Sequence, residues 1–318
     1  LKQQEAQAIT VAWRSILSSF KPQIVITFGT SVVAQKMQDD ARQAGAQIVF
    51  FLANAEIDAA EVVKPGDRVV TPSHFLAERY SPFADRPGQV LRSIVDSSRY
   101  LSPEQRLLTN TRGMQRAGLV TFMNPIPQKG LTLLTRLAQR ALAERSDMTF
   151  AVLEGRMTPA LLRKLGVDLA SFQNVWWLPA QRNMRAVYAR TSILLAPSFC
   201  QEGLARCVLE AHLSGIPALA SERGGLPETF PEAGKTLPIP KHCIENMNAF
   251  PDDNTVDIWW RELSKLWNDD EAYMKAVQDA DANAIAFAPE TTRAAVRDAF
   301  EQIASTLDTG QDAKKLTV

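Results

Sequence analysis

Short apolar runs alternate with helix-length amphipathic stretches along most of this chain, and that alternation leaves few folds open. Gln23–Thr27 (QIVIT) stops just before Gly29, and Gln47–Leu52 (QIVFFL), Arg68–Thr71 and Gln89–Val95 follow. Such runs, bounded by turn residues, suit buried parallel strands. Between them residues 30–45 read as helix, and Ser73 is placed to cap a helix over His74–Tyr80. A polar stretch, Ser102–Arg116, reads as a linker. The rhythm then restarts, with strands predicted at Gly118–Met123, Thr149–Leu153, Val175–Leu178, Ser192–Ala196 and Ile216–Ala220. Helices are predicted over Gly130–Glu144, Asn183–Arg190 and Cys207–Ser214, the last closed by Gly215. Gly225 and Pro227 predict one more helix start. Strand–helix alternation implies parallel sheets joined by right-handed crossovers. Two such blocks imply an α/β chain of two doubly wound domains. Ligands of such sheets bind beyond the carboxyl ends of the strands, here the loops after Met123, Leu153, Leu178, Ala196 and Ala220.

Composition narrows the ligand. Lys+Arg and Asp+Glu both total 35, so no global basic field gathers nucleic acid. An anionic ligand must be held by a local cluster of donors. With 318 residues, 46% of them hydrophobic, the chain can bury two cores. Cys200, Cys207 and Cys243 show no CxxC spacing, which argues against a disulfide framework or structural zinc and for a cytoplasmic setting. His212 and His242 lack metal-ligand spacing and His74, next to Ser73, reads as a surface histidine at a helix start, so no metal is expected. No apolar run approaches the ~20 residues of a membrane span, and LKQQEAQAIT has no signal-peptide core. Peripheral membrane contact stays open. Val256–Phe300 reads as helical, with Trp259, Trp260, Leu263, Leu266 and Trp267 at core spacing.

Two segments carry candidate chemistry. In Pro197–Ala211 a strand ends, a glycine loop follows and a helix begins. Free N–H groups and the positive dipole end at Gly203, Leu204 and Ala205 suit a phosphate, with Arg206 facing it. Glu202 and Glu210 stand eight residues apart, about 12 Å if both lie on one helix. That is too far to flank one glycosidic bond, where carboxyls sit ~5 Å or ~6.5–9.5 Å apart. It suits the two ends of an extended ligand such as a sugar–diphosphate–nucleoside, whose hydroxyls carboxylates can accept. From spacing alone, a loop charge and an ordinary helix residue remain the alternative. The second segment, Asn124–Gly130, opens a helix after a strand and offers Lys129 as a point charge. A solvated surface lysine is its plain alternative.

Glu202-x7-Glu210-Ala211, then Gly215-Ile216-Pro217, the pair Gly224-Gly225 and Pro227-Glu228 resemble the signature of family-4 glycosyltransferases. The resemblance implies a GT-B fold, two Rossmann-like domains facing across a cleft, and a retaining, metal-independent transferase. It assigns Glu202 to the donor sugar hydroxyls and Glu210 to the ribose. It implies an acceptor-side domain over 1–112 that lacks its opening strands, a donor domain over 113–287, a helix at 288–306 returning to the first domain, and a polar tail at 307–318. Lys129-Gly130 match the family's phosphate loop, whereas Met123-Asn124 replace its Gly-Arg pair. With Glu202, Lys129 and Arg206 form the expected catalytic set. Asn124, Gly130, Gly203–Ala205, Glu154-Gly155-Arg156 and Pro179-Ala180 are the expected donor contacts, the last two groups near the base. Where the family commonly places a histidine this chain has Ala53 beside Asn54. Asn54, Gly29 and Thr30 are weak acceptor-side candidates. The co-substrate is a nucleoside-diphosphate sugar with no further cofactor, and the acceptor a sugar, lipid or small molecule. A nucleotide-sugar-binding protein without transfer and a GT-B 2-epimerase are the alternatives. A nicotinamide-dependent oxidoreductase would need G-x-G-x-x-G after its first strand, which this chain lacks.

Overall fold

The computed structural model describes residues 3–83, 88–106, 118–230 and 236–308. They divide into two units, one drawn from residues 1–93 and 292–318, the other from 94–291. The first unit holds β1 (Ile24–Thr27), β2 (Gln47–Phe51), β3 (Arg68–Thr71) and β4 (Gln89–Val90), all parallel, in the order β1-β2-β3-β4. Phe50 and Leu52 pack beneath Val62, Leu76 and Tyr80 on one face. Val49 and Val70 pack against Ala299 and Ile303 of helix Pro289–Asp308 on the other. Ser31 and Ser73 cap their helices by accepting from Ala34 N and Leu76 N. β1 departs from the buried strand expected. It lies at the sheet edge, so Ile26 stays 60% exposed. β4 is only two residues long, not the longer strand expected to Val95.

The second unit holds β5 (Leu119–Met123), β6 (Phe150–Leu153), β7 (Val175–Leu178), β8 (Thr191–Ala196), β9 (Ala218–Ser221) and β10 (Thr236–Leu237), all parallel, in the order β10-β9-β8-β5-β6-β7. The chain builds outward from β5 in one direction through β7, then returns to β8 and builds the other way. The strand order therefore reverses between β5 and β8, the place where open parallel sheets hold ligands.

Helix Leu131–Glu144 buries Leu133, Leu134, Leu137 and Ala138 against the sheet, together with Trp259 and Leu263 of helix Asp253–Asn268. Each buried leucine among them contributes about 1.5–3 kcal/mol relative to exposure. The three buried indoles keep their N–H groups bonded, to Pro238 O, Glu144 and Asp147, as burial of a polar atom requires.

Three expectations change. The helical stretch over Val256–Phe300 is three helices, broken where Asp269 caps Asp270–Ala286 and again at Phe287. Pro227 starts only a single 3₁₀ turn, Pro227–Thr229, because Phe230 turns extended, at φ −118° and ψ 142°. The division between units falls after Ser93, ahead of 112/113. Val95 packs on Leu209, Leu213, Ala284 and Phe287, and Leu101 joins Tyr188 and Val208, so residues 94–101 belong with the second unit. Residues 107–116 of the expected linker and 309–318 of the expected tail lie outside the described residues.

Candidate functional site

Two loops leave the sheet at its reversal point, Asn124–Gly130 after β5 and Pro197–Ala205 after β8. They are joined through backbone. Phe199 N and Cys200 N donate to Gln128 O at 2.9 and 3.1 Å. Gly130 has φ 83°, and a Cβ there would stand 2.1 Å from the Pro197 carbonyl oxygen. Only glycine allows both that dihedral and that approach. A third loop, after β9, locks the second. Gly224, at φ 61°, forms a β-bridge with Glu202, and Gly225 N donates to Glu202 O at 2.7 Å. Arg223 donates to Phe199 O and Ser221 Oγ to Ser198 O.

This framework fixes a polar cluster. Lys129 Nζ forms an ion pair with Glu202 Oε1, and Ser198 Oγ donates to the same oxygen at 2.5 Å. The two charged side chains are 30% and 13% exposed. Burial lowers the Lys129 ammonium, and Glu202 more than restores it, so Lys129 ends above the ordinary lysine value and stays charged. Beside the pair lies a cavity of about 300 Å³, the low end of small-ligand sites. The ends of β5 and β8 form its floor, and Asn124, Lys129, Ser198, Glu202, Leu204, Ala205 and Arg206 line its wall. Helix Arg206–Leu213 starts at this wall. Its N-cap, Ala205, supplies no side-chain acceptor, so no capping side chain competes with a phosphate for the N–H groups at its start. Burial pushes the Cys207 thiol, also on the wall, up to about 11, so it stays neutral.

The helix begins at Arg206, so Glu202 lies in the loop and the helical separation expected between Glu202 and Glu210 does not apply. Glu210, one turn beyond Arg206, stands apart from the cavity wall and is buried. Arg99 Nε donates to its Oε1 at 2.6 Å and Arg99 Nη2 to its Oε2 at 3.3 Å. Tyr188 OH donates to Oε2 at 2.9 Å. Desolvation, then the Glu210 charge, drives the Tyr188 hydroxyl well above its ordinary value, so it remains a donor. Sequence reading missed Arg99 and Tyr188. They lie 111 and 22 residues from Glu210, and neither sits in a motif.

The remaining donor-side candidates are brought to neighbouring strand ends. Asn124, at φ 58°, accepts through Oδ1 from Arg156 N at 2.9 Å, and a Cβ on Gly155 would press on that oxygen. Glu154 accepts from Trp177 Nε1 at 2.7 Å, and its own N–H donates to Leu178 O. Pro179 O accepts from Gln181 Nε2, with Ala180 exposed beside it. Buried Gly203 lies between Glu202 and Leu204. Gly29, Thr30 and Asn54 belong to the first unit, at the ends of β1 and β2. Gln38 donates to Gly29 O, Gln35 to Thr30 O and Tyr80 OH to Asn54 O. Among the described residues no three His, Cys, Asp or Glu side chains gather to hold a metal ion, and no helix is long and apolar enough to cross a membrane.

Two parallel-sheet units, the second reversing its strand order under a loop-built polar cavity, have the GT-B fold. Solved structures agree. Sucrose-phosphate synthase from Thermosynechococcus elongatus superposes with TM-score 0.71 at 13% identity, over 95% of this chain and 79% of that one. Anabaena Alr3699/HepE in complex with UDP and glucose superposes with TM-score 0.68 at 15% identity, over 93% and 80%. Residues 116–249 match the family "Glycosyl transferases group 1". A GDP-mannose-dependent monoacylated alpha-(1-6)-phosphatidylinositol monomannoside mannosyltransferase of Corynebacterium glutamicum is 27% identical over 65% of this chain and 61% of its own length. A D-inositol 3-phosphate glycosyltransferase of the same species is 26% identical over 76% and 51%. The match to these curated relatives thus spans only about half to three-fifths of their length.

Proposed function

We propose that this chain transfers a sugar from a nucleoside-diphosphate donor to an acceptor hydroxyl, with retention and without a metal ion. The reading rests on one observation above all: the Lys129–Glu202 pair stands at the wall of the cavity over the β5/β8 reversal. In this reading the diphosphate lies against Lys129, Arg206 and the uncapped start of helix Arg206–Leu213. The barrier is departure of a charged diphosphate from an oxocarbenium-like sugar. Fixed positive groups where that charge develops lower it most. Lys129 then serves two anions, the diphosphate and Glu202. Glu202, held by Ser198, retains acceptor capacity for sugar hydroxyls, and Glu210 takes the ribose diol. Residues 94–291 would form the donor half and the first unit the acceptor half, with Gly29, Thr30 and Asn54 at its strand ends. The setting is cytoplasmic.

GDP-mannose is the first donor to try and an inositol-bearing lipid the first acceptor, since the corynebacterial mannosyltransferase is named for GDP-mannose and a phosphatidylinositol monomannoside. A nucleotide-sugar binder without transfer is the second reading, favoured by Ala53 where the resembling family commonly carries a histidine. The test is calorimetric titration of UDP, GDP, ADP, dTDP and CDP into the wild-type and Lys129→Ala chains, followed by a transfer assay with the sugar form of the base that binds. Micromolar binding weakened about tenfold, ~1.4 kcal/mol, by the substitution supports the donor site. Absence of binding by all five nucleotides overturns it. Binding without transfer to any acceptor leaves the binder.

A further inference from the structure

We propose that Arg99 is a displaceable guard on Glu210, so that nucleoside binding exchanges the Arg99 fork for the ribose diol. This rests on the donor-site reading above and adds a gate to it. The observation is a conflict of occupancy. Glu210 is the acceptor assigned to the ribose, yet its side chain is only 4% exposed and both its oxygens are already bonded. A diol cannot reach that carboxylate until one partner withdraws. The two partners differ in what withdrawal costs. Tyr188 is fully buried in the core formed with Leu101, Val208 and Ala211, and cannot leave without unpacking it. Arg99 is 41% exposed on its side chain, at the end of the 3₁₀ turn Ser97–Arg99, and can swing into solvent by rotation of its own torsions.

The backbone beneath Arg99 is tied down independently of that ion pair. Asp96 accepts from Ser98 N at 2.8 Å. Arg185 donates to Ser97 O at 2.7 Å and to Tyr100 O at 3.0 Å. Leu101 N donates to Ser214 Oγ, which itself donates to Glu210 O. The segment therefore stays docked on helices Met184–Tyr188 and Arg206–Leu213 while the guanidinium alone moves. When a diol enters, Glu210 keeps the Tyr188 bond and gains two hydroxyl donors where two guanidinium N–H groups had been, and Arg99 is rehydrated.

Such a guard reduces apparent affinity by the fraction of chains in which it stands open, so removing it tightens diol binding. The experiment compares GDP, or whichever of the other four nucleoside diphosphates binds more tightly, with its 2′,3′-dideoxy counterpart. The expected result is that Arg99→Ala binds the ribose form about tenfold more tightly than wild type and leaves the dideoxy form unchanged within about twofold. A purely structural role for Arg99 gives weaker or equal binding of both forms, which overturns the proposal. Loss of folding in Arg99→Ala does not blunt the test, because the wild-type chain reports directly. With ¹⁵N-labelled arginine, the Arg99 Nε–H signal, identified by its loss in Arg99→Lys, carries the shift of a strong hydrogen bond to carboxylate. Saturating ribose nucleotide is expected to move it to the solvated position, and dideoxy nucleotide to leave it in place. A signal that stays put under saturating ribose nucleotide sinks the guard. If no nucleotide binds the wild-type chain, the donor-site reading fails and the guard falls with it.

Discussion

Lys129 and Glu202 form an ion pair across 73 residues of sequence, joining the loop after β5 to the loop after β8. Neither side chain is fully exposed, so truncating one leaves a partly desolvated charge with a single neutral partner, Ser198, on the Glu202 side. Urea unfolding of wild type, Lys129→Ala, Glu202→Ala and the double variant is expected to give a coupling energy of about 1–2 kcal/mol. Additivity within about 0.3 kcal/mol would show the pair to be energetically idle.

Gly130→Ala is expected to cost about 3 kcal/mol or more. The left-handed dihedral alone costs ~1–2 kcal/mol for an L residue, and the new Cβ meets the Pro197 carbonyl at 2.1 Å. Gly166 is the control, since it has φ 76° and open space around its would-be Cβ. Gly166→Ala should show only the dihedral penalty, about 1–2 kcal/mol. Equal losses in thermal unfolding of the two variants would mean that the loop contact at Pro197 carries no weight.

His212 makes a pH prediction. It is buried, with Asn283 Nδ2 at 2.7 Å from its Nδ1 and Phe230 edge-on at 5.2 Å. Desolvation lowers its pKa from 6.5 to about 4. The native state thus keeps His212 neutral where the unfolded chain takes up a proton. Its contribution is complete above about pH 6.5 and is lost as pH falls toward 4, by about 3 kcal/mol. Comparing wild type with His212→Gln in the same buffers cancels the carboxylates common to both. The difference in stability should shrink on acidification; a constant difference from pH 7 to pH 4.5 refutes the assignment.

Tyr188→Phe removes one donor from a buried carboxylate and leaves the Arg99 fork in place. A hydrogen bond to a charged group is worth about 1.5–3 kcal/mol, and a loss of that size in urea unfolding is expected. A loss under about 0.5 kcal/mol would mean that water or a shifted Arg99 replaces the hydroxyl.

The chain's own sequence determined the parallel α/β architecture and the loops that matter. Alternating apolar runs and amphipathic helices admit few other folds, and ligand loops follow from strand direction. Gly215 was legible as the close of its helix because the positive φ needed there excludes most other residues. Local pattern failed where a neighbour decides the outcome. Ile26 reads as buried but stays exposed, because β1 has a strand on one side only among those described. Pro227 reads as a helix start but yields one 3₁₀ turn before β10. The pairing of Lys129 with Glu202, and of Glu210 with Arg99 and Tyr188, belongs to tertiary structure alone. Charge and hydrogen-bonding capacity are written at each position. Which carboxylate meets which cation depends on strand order and helix packing, which bring residues 73 and 111 positions apart within reach of one bond.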